Sequence, residues 1–388
     1  MRVAERISKL REKMEEHGID FYIVPTADFH QSEYVGEHFK ARAFITGFTG
    51  SAGTAIITTK EARLWTDGRY FVQAAGQLKG STVELMKMGE PGVPNLLEYL
   101  EKEFPENGVL GFDGRVVSMG DGKAYKEIVD KKHGKIIYDY DLIDAIWEDR
   151  PALSTEPVFG LEEKYTGESV ESKFARIREE MKKAGTTEHV RTTLDDICWT
   201  LNIRGNDIDF FPLLLSYMVI TMDKADLYVD ENKFSAELRG KLEKDGVVFH
   251  PYNAIYEDIK RVNAEAFLLI DPVRLNYALY NNIPENVKKV EARNPEILFK
   301  CLKNKVEIEN IRKAQIKDSV AHIRFMKWLK ENVGKMTITE MSASDKLDEF
   351  RVEMGNFIRP SFAPISSYGA HSAMCHYSST PETNVELK

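Results

Sequence analysis

Two histidines and a cysteine stand close together near the C-terminal end of the sequence, at His371, Cys375 and His376. The surrounding stretch 360–377 is rich in serine, alanine and glycine, which suits a backbone packed against a substrate or a metal. Imidazole and thiolate bind metals, but metal sites usually combine separated segments with a carboxylate or a second ligand pair. Since histidine exchanges protons near neutral pH, the spacing favours one catalytic or substrate-orienting histidine over a metal site. A purely structural histidine is the simplest alternative.

Two further motifs lie in the first part of the chain. The glycine-rich stretch Gly47–Gly53 lacks the Gly-Lys-Ser/Thr ending of a P-loop, and its glycine spacing differs from a dinucleotide-binding fingerprint. We interpret it as a turn into a strand, in which glycine adopts a positive φ angle. Arg69 follows an Asp-Gly turn. It is either an anion clamp that faces a partner or, more simply, half of a surface ion pair.

Composition narrows the class of protein. A chain of 388 residues is too long for one ordinary core and predicts two or three domains. The formal net charge of −9 argues against a dedicated nucleic-acid binder. The three cysteines are odd in number and far apart, which favours a reducing compartment. Neither a secretory signal nor a membrane-length apolar run is visible, so the sequence predicts a cytoplasmic protein.

The order of predicted elements repeats along the chain. Four apolar residues at helical spacing precede a glycine near the start: Val3, Ile7, Leu10, Met14 and Gly18. The same pattern returns 167 positions later: Val170, Phe174, Ile177, Met181 and Gly185. A predicted hairpin with strands at 53–58 and 64–67 recurs at 220–221 and 227–230, offset by 163. Two matches in the same order indicate two copies of one α/β unit.

A third segment follows the two copies. A linker with two prolines covers 147–157 and separates the copies from each other. A helical pattern without glycine or proline spans 305–332, and a second helix is predicted to begin at a capping box of Thr337 and Glu340 and to end at Gly355. The predicted domains are 1–155, 156–298 and 299–388.

Taken together, these features resemble the three-domain form of aminopeptidase P, the Xaa-Pro aminopeptidases of the creatinase/prolidase, or pita-bread, superfamily. Each motif alone is unspecific, but the combination runs nearly from end to end and is highly specific. The matching stretches are His30-Gln31-Ser32-Glu33-Tyr34, Gly47–Gly53, Trp65–Tyr70, Ile146–Pro151, Leu194–Trp199, Asn202–Gly205, Ile316–Asp318 and Pro360–Tyr377.

The resemblance implies a fold, an activity and a metal centre. Two creatinase-type N-terminal α/β domains would be followed by the start of a pita-bread catalytic domain. Members of the family remove an N-terminal residue that precedes proline, and they use two divalent metals, typically manganese, held by two Asp, one His and two Glu. His376 corresponds to the histidine of the family's His-Tyr motif. It is expected beside the substrate, where it would stabilise the developing tetrahedral oxygen or relay a proton.

The resemblance also implies that this chain carries no metal ligands. In the family the first ligand, an aspartate, follows a Pro-Glu-Thr-Asn stretch, here Pro381–Asn384, and the sequence stops at Lys388. We therefore expect an N-terminal part that binds no metal, lacks peptidase activity and leaves the apolar faces of the helices at 305–332 and 340–354 uncovered. The alternative is a non-catalytic peptide- or protein-binding module of creatinase type.

Partners follow from the resemblance as well. Substrates of the full-length enzyme would be peptides with proline in second position, and neither nucleic acid nor membrane is expected. Family members commonly form homodimers in which the N-terminal domain reaches a neighbour's active site. Arg69 and His30 are therefore candidates for residues that face the substrate or a partner.

Overall fold

The computed structural model describes residues 1–388, which divide into two compact units. The larger unit comprises Met1–Leu161 and Glu168–Leu302. The smaller unit comprises Glu162–Gly167 and Lys303–Lys388.

The first repeat of the larger unit is a six-stranded mixed sheet with helices on both faces. Its elements are α1 (Val3–Glu16), β1 (Phe21–Pro25), α2 (Ala41–Thr46), β2 (Thr54–Thr58), β3 (Ala62–Thr66), α3 (Phe71–Gln77), β4 (Glu84–Lys87), α4 (Leu96–Glu103), β5 (Val109–Phe112), α5 (Met119–Lys131) and β6 (Lys135–Ile137). The strand order is β4-β3-β2-β1-β5-β6, with β1 antiparallel to β2 and parallel to β5. Because alternate side chains of a strand face opposite ways, Tyr22 and Val24 enter one core cluster and Phe21 and Ile23 enter the other.

The second repeat has the same topology. Its elements are β7 (Phe159–Gly160), α7 (Val170–Lys183), β8 (Glu188–Arg191), α8 (Leu194–Thr200), β9 (Ile203–Arg204), β10 (Tyr217–Ile220), β11 (Ala225–Val229), α9 (Ala236–Lys244), β12 (Val247–Pro251), α10 (Ile255–Asp258), β13 (Phe267–Ile270), α11 (Tyr277–Asn282), β14 (Lys288–Glu291) and α12 (Glu296–Cys301), with α6 (Glu163–Thr166) of the smaller unit lying between β7 and α7 in the chain. The strand order β12-β11-β10-β8-β13-β14 repeats that of the first sheet, and every pairing keeps its direction. The predicted duplication is confirmed.

The two repeats pack together through α5 and α11. The backbone N–H of Met119 donates to Leu275 O at 2.7 Å, and that of Tyr277 donates to Val117 O at 2.8 Å. Gly122 faces the ring of Tyr277 so closely that a β-carbon would lie 2.1 Å from it. Glycine is therefore required at this contact.

The smaller unit is built on two antiparallel helices, α13 (Lys305–Asn332) and α14 (Glu340–Glu353). Helix α13 has the predicted bounds. Helix α14 does not begin with the predicted capping box, because its N-cap is Thr339, whose hydroxyl accepts from the Ser342 N–H at 3.2 Å. The predicted capping box of Thr337 and Glu340 is wrong because the Glu340 carboxylate is buried and binds a later segment of the chain instead.

The predicted uncovered faces are confirmed for α13 only. Ile316 and Ile323 are each 65% exposed, and Met326 is 46% exposed. On α14, Phe350 is half-buried and lies beneath the Arg324 guanidinium of α13, 4.7 Å from it, because the two helices cover each other on that side. No helix is both long enough and apolar enough to cross a membrane.

Candidate active-site segment

His376 lies in a segment with little regular structure, after a 3₁₀ helix at Gly369–Ala373. Its side chain is exposed, whereas the next residue, Tyr377, is 7% exposed. The two members of the His-Tyr pair are thus used differently. The phenol is buried in the unit, and the imidazole remains accessible to a ligand.

One buried carboxylate, that of Glu340 at the start of α14, binds this segment at four points. Its Oε1 accepts from the Tyr368 N–H at 2.6 Å and lies 3.0 Å from Nδ1 of His371. Its Oε2 accepts from the Tyr377 hydroxyl at 2.8 Å and from the Ser379 hydroxyl at 3.1 Å. The ring of His371 also stacks on that of Tyr377, with centroids 4.5 Å apart. Glu340 and these four residues form the Glu340 anchor.

The Glu340 carboxylate is charged at neutral pH. Burial by itself raises its pKa, but the hydrogen bonds from His371, the Tyr368 N–H, Tyr377 and Ser379 outweigh burial and lower the pKa to about 2. An ionised carboxylate only accepts hydrogen bonds. Nδ1 of His371 therefore carries the hydrogen that it shares with Glu340.

Residues near the end of the chain accept hydrogen bonds from the first N–H groups of α14. The first N–H groups of a helix have no acceptor within the helix. Here the Glu340 N–H donates to Val385 O at 3.1 Å, and the Met341 N–H donates to Oδ1 of Asn384 at 3.1 Å. The stretch Pro381–Asn384, which the sequence marked as a family motif, therefore caps α14.

His30 lies where neither a partner nor a substrate can reach it. The side chain is completely buried between the two repeats. Its Nδ1 is 2.9 Å from Thr192 O, and its Nε2 is 2.6 Å from the Tyr252 hydroxyl. The expectation that His30 faces a partner does not fit this burial, because the HQSEY stretch ties the two repeats together.

Arg69 remains at the surface, where it forms the simpler of the two predicted arrangements. Its Nε lies 2.7 Å from Oδ1 of Asp67 and its terminal nitrogen lies 2.8 Å from Oδ2, so the pair is bidentate. The side chain is 50% exposed. The nearby glycine-rich loop is a turn, as predicted: Gly47 has a φ of 77° and ends α2.

A cleft of about 500 Å³ opens elsewhere in the smaller unit, between α13 and the end of α14. Three of the four charged residues that line it, Lys317, Asp318 and Arg351, are engaged within the protein. Arg351 binds Asp318 at 2.8 Å and Asp348 at 2.9 Å, and Lys317 donates to Gly355 O at 3.2 Å. The motif Ile316–Asp318 thus helps to hold the two helices together.

The residues present do not fit a metal centre. Nowhere in residues 1–388 do three or more His, Cys, Asp or Glu side chains form a group that could hold a metal ion. His371 binds Glu340, and Cys375 is an exposed free cysteine.

Comparison with sequence families gives three consecutive matches. The creatinase/prolidase N-terminal domain matches residues 6–144 and again 149–307. Metallopeptidase family M24 matches residues 309–388.

Individual proteins resemble nearly the whole chain. It is 36% identical to aminopeptidase P2 of Arabidopsis thaliana, with 98% of this chain and 58% of that protein aligned. It is 38% identical to a probable Xaa-Pro aminopeptidase P of Laccaria bicolor, with 99% of this chain and 60% of that protein aligned. The crystal structure of X-prolyl aminopeptidase from Caenorhabditis elegans, described as a cytosolic enzyme with a di-nuclear active site, superposes with a TM-score of 0.95 at 31% identity, over 100% of this chain and 66% of that one. The chain thus spans about 60% of the length of the curated relatives it matches.

Proposed function

Because this chain belongs to the Xaa-Pro aminopeptidase P family, with two creatinase/prolidase N-terminal domains followed by part of an M24 metallopeptidase domain, we propose that it supplies the N-terminal part of an enzyme that removes an N-terminal residue preceding proline. The observation that carries the proposal is the series of three consecutive matches between residues 6 and 388, within which an anchored segment presents the exposed His376. The substrates would be peptides with proline in second position.

We propose that His376 is the side chain that contacts the substrate. An imidazole can donate or accept a hydrogen bond near neutral pH, and this one is exposed beside the buried Tyr377. The relative from Caenorhabditis elegans is described as having a di-nuclear active site. The enzyme proposed here would use two divalent metals, typically manganese, and no side chain of residues 1–388 is assigned to them.

These 388 residues alone are proposed to be inactive. The support is that the M24 match covers only 309–388 and that no metal-binding group is found within residues 1–388. The test is incubation of the purified chain with Mn²⁺ and a peptide of the form Xaa-Pro-Xaa, next to the protein expressed from the complete reading frame. We expect cleavage by the second protein only. Turnover by the 388-residue chain would overturn its proposed inactivity, and no cleavage by either protein would favour the binding module.

The proposal also covers where the enzyme is located and how it assembles. We propose a cytosolic location, which agrees with the description of the Caenorhabditis elegans relative and with three cysteines that form no disulfide. We also propose a homodimer in which Arg69 faces the partner, since the Arg69–Asp67 pair is partly exposed. Sedimentation of the protein from the complete reading frame should show a dimer that Arg69→Gln weakens. A monomer, or a dimer unaffected by the substitution, would contradict this assignment.

A further inference from the structure

We propose that Glu340 is a positioning residue for His376: its buried carboxylate fixes residues 368–379 so that the exposed imidazole is held in one place. The part that depends on the proposed function is that His376 contacts a substrate. That Glu340 fixes the segment is argued only from the contacts of the Glu340 anchor.

Regular secondary structure covers only part of this segment. Residues 368–379 form no strand, and their regular structure is limited to the 3₁₀ helix Gly369–Ala373. Backbone hydrogen bonds within it join the His371 N–H to Tyr368 O and the Met374 N–H to His371 O. Between residues 375 and 379, the hydroxyls of Tyr377 and Ser379 both donate to Glu340, and the Tyr377 hydroxyl also lies 3.1 Å from Oγ1 of Thr383. The contacts therefore bracket His376 from both sides.

The charge of the carboxylate, and not only its volume, suits this arrangement. Four donors of the segment converge on its two oxygens. A glutamine of the same shape would offer one oxygen, and its amide nitrogen would face donors instead of acceptors. Hydrogen bonds to a charged acceptor are also stronger than those to a neutral one.

The carboxylate itself is held firmly. Glu340 is the first residue of α14, where the helix dipole favours a negative side chain. Its own N–H donates to Val385 O at 3.1 Å, and α14 packs along α13. The anchor thus connects a packed helix to a segment with little regular secondary structure.

The test compares Glu340→Gln and Glu340→Asp with the wild type in the 388-residue chain. Two signals are read by NMR: amide hydrogen exchange of Tyr368, and the ring Cε1–H resonance of His376. We expect Glu340→Gln to raise the Tyr368 exchange rate at least tenfold, a change of roughly 1.4 kcal/mol for a lost charged hydrogen bond. The His376 resonance should move towards its value in a short peptide. Glu340→Asp keeps the charge and should stay nearer the wild type.

A matched control uses the same substitution on the same helix. Glu353→Gln removes an exposed carboxylate at the other end of α14, which pairs with Arg324, and should leave both signals unchanged. Wild-type signals in Glu340→Gln, or a larger effect of Asp than of Gln, would show a packing role and overturn the proposal.

A second variant covers the case in which Glu340→Gln does not fold. Tyr377→Phe with Ser379→Ala keeps the charge but removes two of its four donors, and it should move the His376 resonance in the same direction. An unchanged resonance in that variant would overturn the proposal. None of these signals is turnover. A failure here therefore leaves the proposed function standing, and a failure of peptide cleavage leaves the anchor standing.

Discussion

Nε2 of His30 lies 2.6 Å from the hydroxyl of Tyr252, and this contact joins the first repeat to the second. The ring also packs against Tyr217, 4.5 Å away between centroids. Burial lowers the pKa of His30, with Asp28, the Thr192 carbonyl and Asp207 opposing it less strongly. His30 is therefore a neutral polar tie inside the larger unit.

This tie predicts a pH dependence of stability. A histidine whose pKa is lower in the folded state takes up its proton mainly on unfolding. Its stabilising contribution is thus complete above the unfolded pKa of about 6.5 and is lost as the pH falls below that value. We expect the midpoint of thermal unfolding of the larger unit to drop between about pH 7.5 and pH 5.5. His30→Gln should reduce this drop, whereas His133→Asn, at an exposed site, should not. Equal drops in all three proteins would contradict the account.

The Gly122–Tyr277 contact predicts a steric effect between the repeats. A β-carbon at Gly122 would lie 2.1 Å from the Tyr277 ring, so Gly122→Ala should lower the unfolding free energy of the larger unit by about 1–3 kcal/mol. Gly240 lies in α9 with nothing within 4 Å of such a carbon. There the same substitution should stabilise by up to about 1 kcal/mol, because alanine favours helix. Urea unfolding measures both, and a neutral Gly122→Ala would show that the repeats adjust freely.

A buried ion pair fixes α12 to the second sheet. Glu296 binds Arg191 and lies 3.4 Å from Nε2 of His189, and all three side chains are completely buried. Burial raises the pKa of Glu296, but the charge of Arg191, followed by His189, outweighs it and lowers the pKa to about 2. Glu296→Gln leaves a buried arginine without its counter-ion and should cost about 3–5 kcal/mol in unfolding free energy.

An exposed pair provides the control for that measurement. Glu180 binds Lys183 at 2.9 Å on the surface of α7, so Glu180→Gln should change stability by less than about 1 kcal/mol. Similar losses for the two variants would show that the burial of the Glu296–Arg191 pair contributes nothing.

The hydroxyl of Tyr377 should contribute to local stability in the smaller unit. It donates to Glu340 and lies 3.1 Å from Oγ1 of Thr383. Tyr377→Phe should lower the opening free energy of this region by about 1–3 kcal/mol, as read by hydrogen exchange of peptides from residues 366–388. Tyr368→Phe also removes a hydroxyl, one that donates to Lys388 O at 3.0 Å in an exposed position, and should have little effect. Equal effects of the two substitutions would contradict the prediction that the Tyr377 hydroxyl contributes more to local stability than the Tyr368 hydroxyl.

Local patterns predicted the elements well. The apolar spacing of α1 predicts a helix, because a helix that buries one face must repeat its apolar residues at that spacing. Helix α13 follows from a long helical pattern without glycine or proline. The hairpin of β2 and β3 was found from two short apolar runs around a polar turn, and its recurrence revealed the duplication that the two sheet orders confirm. These signals lie within a few residues of the elements they describe.

Long-range polar contacts were not predictable in this way. Arg191 and Glu296 are 105 positions apart, and Glu340 meets Tyr377 across 37 positions. Neither distance leaves a spacing pattern in the sequence. Glu340 was read as part of a capping box because a Ser/Thr-x-x-Glu motif is local, whereas its partners are chosen by tertiary structure. The resemblance to the family makes His30 a candidate for a residue that faces the substrate or a partner, but the local sequence does not show that the second repeat buries it.

Presentation of His376 by this chain to a peptide with proline in second position is tested most directly by kcat/KM. The measurement uses the protein expressed from the complete reading frame, with Mn²⁺ and a peptide of the form Xaa-Pro-Xaa, as wild type and as His376→Gln. We predict release of the N-terminal residue by the wild type and a kcat/KM lower by about 10²–10³-fold in the variant, with unchanged circular dichroism. Absence of Xaa-Pro cleavage by the wild type, or equal kcat/KM values for both proteins, would contradict the claim.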